Sequence, residues 1–191
     1  LLITINSRPN TGNITGPSGI CVVDTGSFSV TNNSTSSYSW IVSGGSILSG
    51  NGSNAVTVNW NVSGNASVAV VETNDIGCIG DTVFLPINVN GLPAAAAGSD
   101  VSVCTGQGVQ LTASGGVSYS WTPTTTLSNA GIFNPVASPT SLTEYIVLVT
   151  DSNGCKNTDS ILVSVNTLPI ITLTSNSAIC IGNSITLTAG G

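Results

Sequence analysis

An internal repeat constrains this chain more than any other feature. Leu1-Leu2-Ile3-Thr4-Ile5-Asn6-Ser7-Arg8-Pro9, Val83 to Pro93, and Ile161-Leu162-Val163-Ser164-Val165-Asn166-Thr167-Leu168-Pro169 have one shape: an apolar run, Asn, two residues, then Pro. The prolines at 9, 93 and 169 stand 84 and 76 residues apart, and Cys21, Cys104 and Cys180 stand 83 and 76 apart. Beyond each proline the match continues. Cys104-Thr105-Gly106 leads to Leu111-Thr112-Ala113-Ser114-Gly115-Gly116, and Cys180-Ile181-Gly182 leads to Leu187-Thr188-Ala189-Gly190-Gly191. Tyr38-Ser39-Trp40 corresponds to Tyr119-Ser120-Trp121, and Thr73 to Cys78 corresponds to Thr150 to Cys155. The chain reads as two repeats, 10–91 and 92–168. Residues 1–9 are expected to be the last strand of a preceding repeat, and 169–191 the start of a following one. Both ends therefore read as cut.

Each repeat reads as a β-sandwich. Ala55-Val56-Thr57-Val58-Asn59-Trp60 alternates with period two and sends Val56, Val58 and Trp60 to one face. Thr143 to Thr150 is rich in β-branched and aromatic residues, which suit a pleated, half-buried surface. Gly, Asn, Ser and Pro clusters punctuate the runs at sandwich spacing. Ala94 to Ala97, between Pro93 and Gly98, reads as linker. Trp40, Trp60, Trp121 and Tyr145 are the expected core aromatics.

The repeat also bears on the cysteines. Five are present, an odd count for an oxidised extracellular chain. Sandwiches of this size bury little surface and gain from a cross-link. Pairing within each repeat keeps the period: Cys21 with Cys78, Cys104 with Cys155, and Cys180 left unpaired in this fragment. One intradomain disulfide per sandwich is therefore expected, tying one end.

Composition removes whole classes of function. Only 5% of residues are charged, and two basic residues against eight acidic ones give a net charge of −6. Nucleic-acid binding rests on Lys and Arg neutralising phosphates, so no nucleic-acid partner is expected. The same balance disfavours an anionic membrane surface, and no apolar run is long enough to span a bilayer, so no membrane insertion is expected. With no His, Ser-His-Asp and Cys-His catalysis and the commonest zinc ligand are absent. Glu72 with Asp75, and Glu144 with Asp151, are the carboxylate pairs available for acid–base work; they read as solvated acids at strand ends. Asp75 and Asp151 are the candidates for calcium, in turns that also suit Asn and Asp for backbone reasons alone. No catalytic residue and no cofactor are expected, and the chain does not read as an enzyme. Asn13, Asn33, Asn51, Asn61 and Asn65 match the N-glycosylation pattern, as chance allows in such a composition.

The second repeat then carries a resemblance. Ala97-Gly98-Ser99-Asp100, Cys104-x-Gly106, Leu111-Thr112-Ala113, Tyr119-Ser120-Trp121-x-Pro123, Asn134-Pro135 and Thr150-Asp151-Ser152-Asn153-Gly154-Cys155 resemble the immunoglobulin-like and PKD-like repeats of large Bacteroidota cell-surface proteins. SprB-type gliding-motility adhesins and type IX secretion cargo carry such repeats. The first repeat resembles the PKD-like branch. It has Trp40-Ile41-Val42-Ser43-Gly44-Gly45 where that branch carries Trp-Asp-Phe-Gly-Asp-Gly, and so lacks both carboxylates. The resemblance implies an all-β chain of tandem immunoglobulin-like/PKD-like sandwiches. It implies a stalk or repeat region of a secreted adhesin at the cell surface, attached to the outer membrane. The partners would be neighbouring repeats and an extracellular surface or glycan. It also implies O-glycosylation at Asp-Ser/Thr-apolar sites, here Thr82 and Ser160. Two alternatives are a carbohydrate- or ligand-binding accessory module of a secreted multidomain enzyme, and a self-assembling filament subunit joined by strand addition.

Overall fold

The computed structural model describes residues 3–170, 172–173, 178–186 and 189–190. All regular structure among them is β, and no helix among them is long and apolar enough to cross a membrane. The first repeat contains β1 (Gly19–Cys21), β2 (Thr25–Ser29), β3 (Ser37–Ser43), β4 (Gly45–Ser49), β5 (Ala55–Trp60), β6 (Gly64–Thr73) and β7 (Val83–Asn90). One sheet has the order β1-β7-β6-β3 and the other β2-β5-β4.

Alternation builds the core. On β5, Val56, Val58 and Trp60 are buried while the residues between them are not. Ala66, Val68, Val70 and Glu72 point inward from β6, and Tyr38 and Trp40 from β3. Phe28 meets Trp60 edge-on, with ring centroids 6.0 Å apart; such pairs add to the area they bury. Trp40 donates its indole N–H to the Ser53 carbonyl (2.8 Å), whereas the buried Trp60 Nε1 has no partner.

The second repeat contains β8 (Val101–Cys104), β9 (Val109–Gln110), β10 (Ser118–Thr122), β11 (Val136–Ala137), β12 (Thr143–Thr150) and β13 (Lys156–Asn166). Its main sheet has the order β10-β12-β13-β8, and β9 pairs with β11. Trp121 and Tyr145 are fully buried. Trp121 donates to the Ile132 carbonyl (3.0 Å), and the Tyr145 hydroxyl is hydrogen-bonded to Thr126. Ala94–Ala97 is no free linker. Ala96 bridges to Ser114, and the buried Ala97 donates its amide to Asp159 Oδ2 (2.7 Å). Beyond it, β14 (Thr172–Leu173) pairs with β15 (Ala189–Gly190). Within the expected start of a third repeat, residues 171, 174–177, 187–188 and 191 lie outside the described residues. The expected strand over residues 1–9 lies partly outside them too, and Ile3–Pro9 carries no strand.

Contacts gather the chain into two compact units. One holds the residues up to Ala95 with Gly115–Ser118 and Val149–Asn157; the other holds Ala96–Ser114, Tyr119–Leu148 and the residues from Thr158 onward. The tip of the second repeat thus belongs to the first unit.

The cysteine pairing differs from the sequence expectation. Cys21 is bonded to Cys155, and Cys78, Cys104 and Cys180 are free thiols. Strand direction gives the reason. β1 runs parallel to β7, with Cys21 opposite Asn90 at the C-terminal end of β7. Cys78 precedes β7, beside the end of β6, where Ile79 bridges to Thr73. A strand of this length separates them by about 25 Å at ~3.3 Å per residue, whereas disulfide Cα atoms lie within roughly 7 Å. In the second repeat β8 runs parallel to β13, with Cys104 opposite Asn166, and Cys155 precedes Lys156 at the other end of that strand. In each repeat the two cysteines occupy opposite poles, so neither intradomain bond forms.

Candidate functional site

The feature most distinct from ordinary sandwich packing is the set of turns that hold the cysteines. The first-cysteine turns share one backbone. The amide three residues on donates to the cysteine carbonyl: Asp24 to Cys21 (3.2 Å), Gln107 to Cys104 (3.0 Å), Asn183 to Cys180 (3.1 Å). The third residue of each turn has positive φ: Val23 (68°), Gly106 (84°) and Gly182 (92°). Glycine suits that region because it lacks a Cβ. Val23, β-branched, is strained there. It is held by its amide, which donates to the Trp60 carbonyl (2.7 Å).

The second-cysteine turns also match each other. Cys78 donates its amide to Asn74 Oδ1 (2.8 Å), and Cys155 donates its amide to Asp151 Oδ1 (2.9 Å). Return bonds run from the Asn74 amide to the Cys78 carbonyl (3.1 Å) and from the Asp151 amide to the Cys155 carbonyl (3.0 Å). Gly77 and Gly154 supply the positive φ before each cysteine. Within the first unit, Cys21, Val23, Asp24, Leu92 and Gly154 to Lys156 line a cavity of about 310 Å³ around the disulfide. Cys155 is buried, Cys78 half-buried and Cys104 exposed.

The other candidates do not converge. Glu72 is buried and accepts a hydrogen bond from Asn33 Nδ2 (2.6 Å), while Asp75 is exposed in the turn beyond. Glu72 is thus an inward-facing acid, not a solvated one. The sequence offered the signal, since it keeps the phase of Ala66, Val68 and Val70. Glu144 lies near the start of β12, and Asp151 follows its end. About 20 Å of strand separates them, beyond the roughly 5–9.5 Å of glycosidase carboxylate pairs. Asp151 Oδ1 already accepts from the amides of Asn153 and Cys155, both at 2.9 Å. Among the described residues, no three His, Cys, Asp or Glu side chains come together as a metal-binding group. Thr82 and Ser160 are both exposed. An open cavity of about 290 Å³ is lined by Ser160, Thr158, Asp159, Glu144 and Ile146. Of the asparagines in N-glycosylation motifs, Asn33 serves Glu72, and Asn51 accepts the Trp40 amide on its Oδ1 (3.1 Å).

Comparison with known proteins places the fold. The chain is an immunoglobulin-like β-sandwich protein, and the model of the PKD-like domain family matches residues 7–86. No curated protein matches the sequence. The C-terminal 282-residue fragment of intimin, solved in complex with the intimin-binding domain of its translocated receptor, is similar in fold: TM-score 0.50, 14% identity, 86% of this chain and 67% of that one. The insect immune protein hemolin (TM-score 0.41, 13% identity) covers 85% of this chain, which spans 48% of hemolin. The fibronectin(III)-like modules of Clostridium thermocellum CbhA (TM-score 0.36, 12% identity) cover 81%, against 94% of that chain.

Proposed function

We propose that this chain is a structural repeat segment of an extracellular adhesin, a stalk of sandwich modules with boundaries near 10–91 and 92–168. The observation that carries this reading is the Cys21–Cys155 bond, which joins the edge strand of one repeat to a turn of the next. Cystines persist in oxidising surroundings, so the bond favours an extracellular location. The burial of Trp40, Trp60 and Trp121 supports the same reading, because no tryptophan is left as a stacking platform for a sugar. Gliding motility, type IX secretion and outer-membrane attachment are the specific setting in this proposal. O-glycosylation at Thr82 and Ser160 belongs to it as well, supported by their exposure. An intact mass from the native host with no excess over the sequence overturns the glycosylation.

One observation favours a carbohydrate-binding module instead. The Tyr119 and Phe133 rings pair at 6.3 Å, and Phe133 is 50% exposed. A glycan array with the isolated chain, its free thiols alkylated, separates the two readings. The stalk reading expects no binding and a monomer on size exclusion. Binding abolished by Phe133→Ala establishes the module and overturns the stalk.

A further inference from the structure

Two of the free thiols, Cys78 and Cys104, occupy the same two backbone settings as the bonded pair. Cys104 ends β8 opposite Asn166, as Cys21 ends β1 opposite Asn90, both on an edge strand parallel to its partner. Each is followed by the same positive-φ turn, and each next residue donates its amide to that asparagine's carbonyl: Val22 to Asn90 (2.8 Å), Thr105 to Asn166 (2.9 Å). Cys78 repeats the setting of Cys155, with the same side-chain cap, the same return bond and the same glycine before the cysteine. Both repeats thus carry one cysteine of each kind at opposite poles. The disulfide in the structure joins the first kind in one repeat to the second kind in the next.

We propose that Cys104 and Cys78 are the two halves of a further staple of this kind, each completed by another copy of the repeat. Cys104 takes the cysteine of an (Asn/Asp)-x-x-Gly-Cys turn, and Cys78 takes the cysteine that ends an edge strand. The cysteines then form a head-to-tail ladder of bonds between repeats, with none inside a repeat. The chemistry is thiol–disulfide exchange. A low-molecular-weight disulfide such as oxidised glutathione is attacked by one thiolate, giving a mixed disulfide and one free glutathione. The second cysteine thiolate attacks that mixed disulfide and releases the other glutathione. Two cysteine thiols lose two electrons and two protons in all, and two glutathione thiols gain them. The inference rests on the observed bond and the shared register, and holds whether or not the chain is an adhesin.

The test uses the whole chain in a Cys180→Ser background, which removes the other exposed thiol. It is held at high protein concentration in a mixture of reduced and oxidised glutathione, then mapped without reduction. The expected product is a ladder of oligomers in which Cys78 of one molecule is joined to Cys104 of another, with Cys21–Cys155 intact in each. Cys78→Ser and Cys104→Ser are each expected to stay monomeric alone, and to give a heterodimer and nothing longer when mixed. A Cys21–Cys155 peptide in every variant shows that it has folded. A main product of Cys78–Cys78, Cys104–Cys104 or an intramolecular Cys78–Cys104 bond overturns the proposal. So do both thiols remaining free or merely glutathionylated. If a ladder forms at high dilution as readily as at high concentration, linking does not depend on a second copy, and the proposal also fails.

Discussion

The turn that ends in Cys78 and the turn that ends in Cys155 are the same piece of backbone with different fates. Both are capped by an Asn or Asp four residues before the cysteine, and both place glycine before it. One cysteine is bonded and buried; the other is a half-buried thiol. The local sequence therefore settles the turn and says nothing of the bond. The bond depends on which pole of which repeat comes within reach. In this chain the bond runs between repeats and not inside one, because strand direction puts the two cysteines of each repeat at opposite poles.

The largest effect expected from breaking the comparison is at the bond itself. Cys21→Ser or Cys155→Ser opens a closure spanning 134 residues, worth about 5 kcal/mol on the chain-entropy model. Cys104→Ser in the same isolated chain, at an exposed position, is expected to stay within about 0.5 kcal/mol of the parent, and Cys78→Ser, at a half-buried unbonded position, to lose far less than either bonded variant. Guanidinium unfolding of the four variants, compared at equal slope, checks this. Equal losses at bonded and free positions refute it.

The tryptophans sharpen the contrast between the repeats. Trp121→Ala and Trp60→Ala should each lose about 3–5 kcal/mol through cavity formation. The phenylalanine variants should separate them. Trp121→Phe leaves the Ile132 carbonyl without its donor, a loss of about 1–3 kcal/mol. Trp60→Phe removes an N–H that has no partner, and is expected to lose less. Thermal unfolding with the order reversed contradicts the assigned hydrogen bonds.

Smaller effects come from the first-cysteine turns. Val23→Gly should relieve the positive φ and stabilise by up to about 1 kcal/mol, after allowing for glycine's extra freedom in the unfolded chain. Gly106→Val imposes the same strain on the second repeat and should destabilise by about 1–2 kcal/mol. Urea midpoints moving in the same direction for both variants would break the equivalence of the turns. Smallest of all is Asp151→Asn, which copies the cap of the Cys78 turn and should change stability by less than about 0.5 kcal/mol. Asp151→Ala, which removes the acceptor of two amides, should lose about 1 kcal/mol. Differential scanning calorimetry on the pair distinguishes a cap from a charge effect.

Most of the sandwich was legible because burial writes a period-two pattern. Val56, Val58 and Trp60 announce their strand, and Tyr145, Val147 and Val149 announce theirs. The repeat period located the two tryptophan strands before any contact was known. What the pattern did not carry was β1, a three-residue edge strand whose direction no hydropathy encodes. That strand decides the poles, and the poles decide the disulfide, so period arithmetic alone gave the wrong pairing. Ala97 departs from a linker for a related reason: its amide donates to the Asp159 carboxylate, 62 residues away in sequence, a contact no local pattern encodes.

The closure between residues 21 and 155 has a mechanical consequence. A pull applied to the chain on either side of the bond passes from sulfur to sulfur and bypasses the residues between them. About 450 Å of contour, the fully extended reach of that segment, is thereby withheld from extension. Stretching can lengthen this segment only after a reductant has cut the bridge. Its extensibility is then set by the redox state of the surroundings, with hydrogen-bond strength secondary.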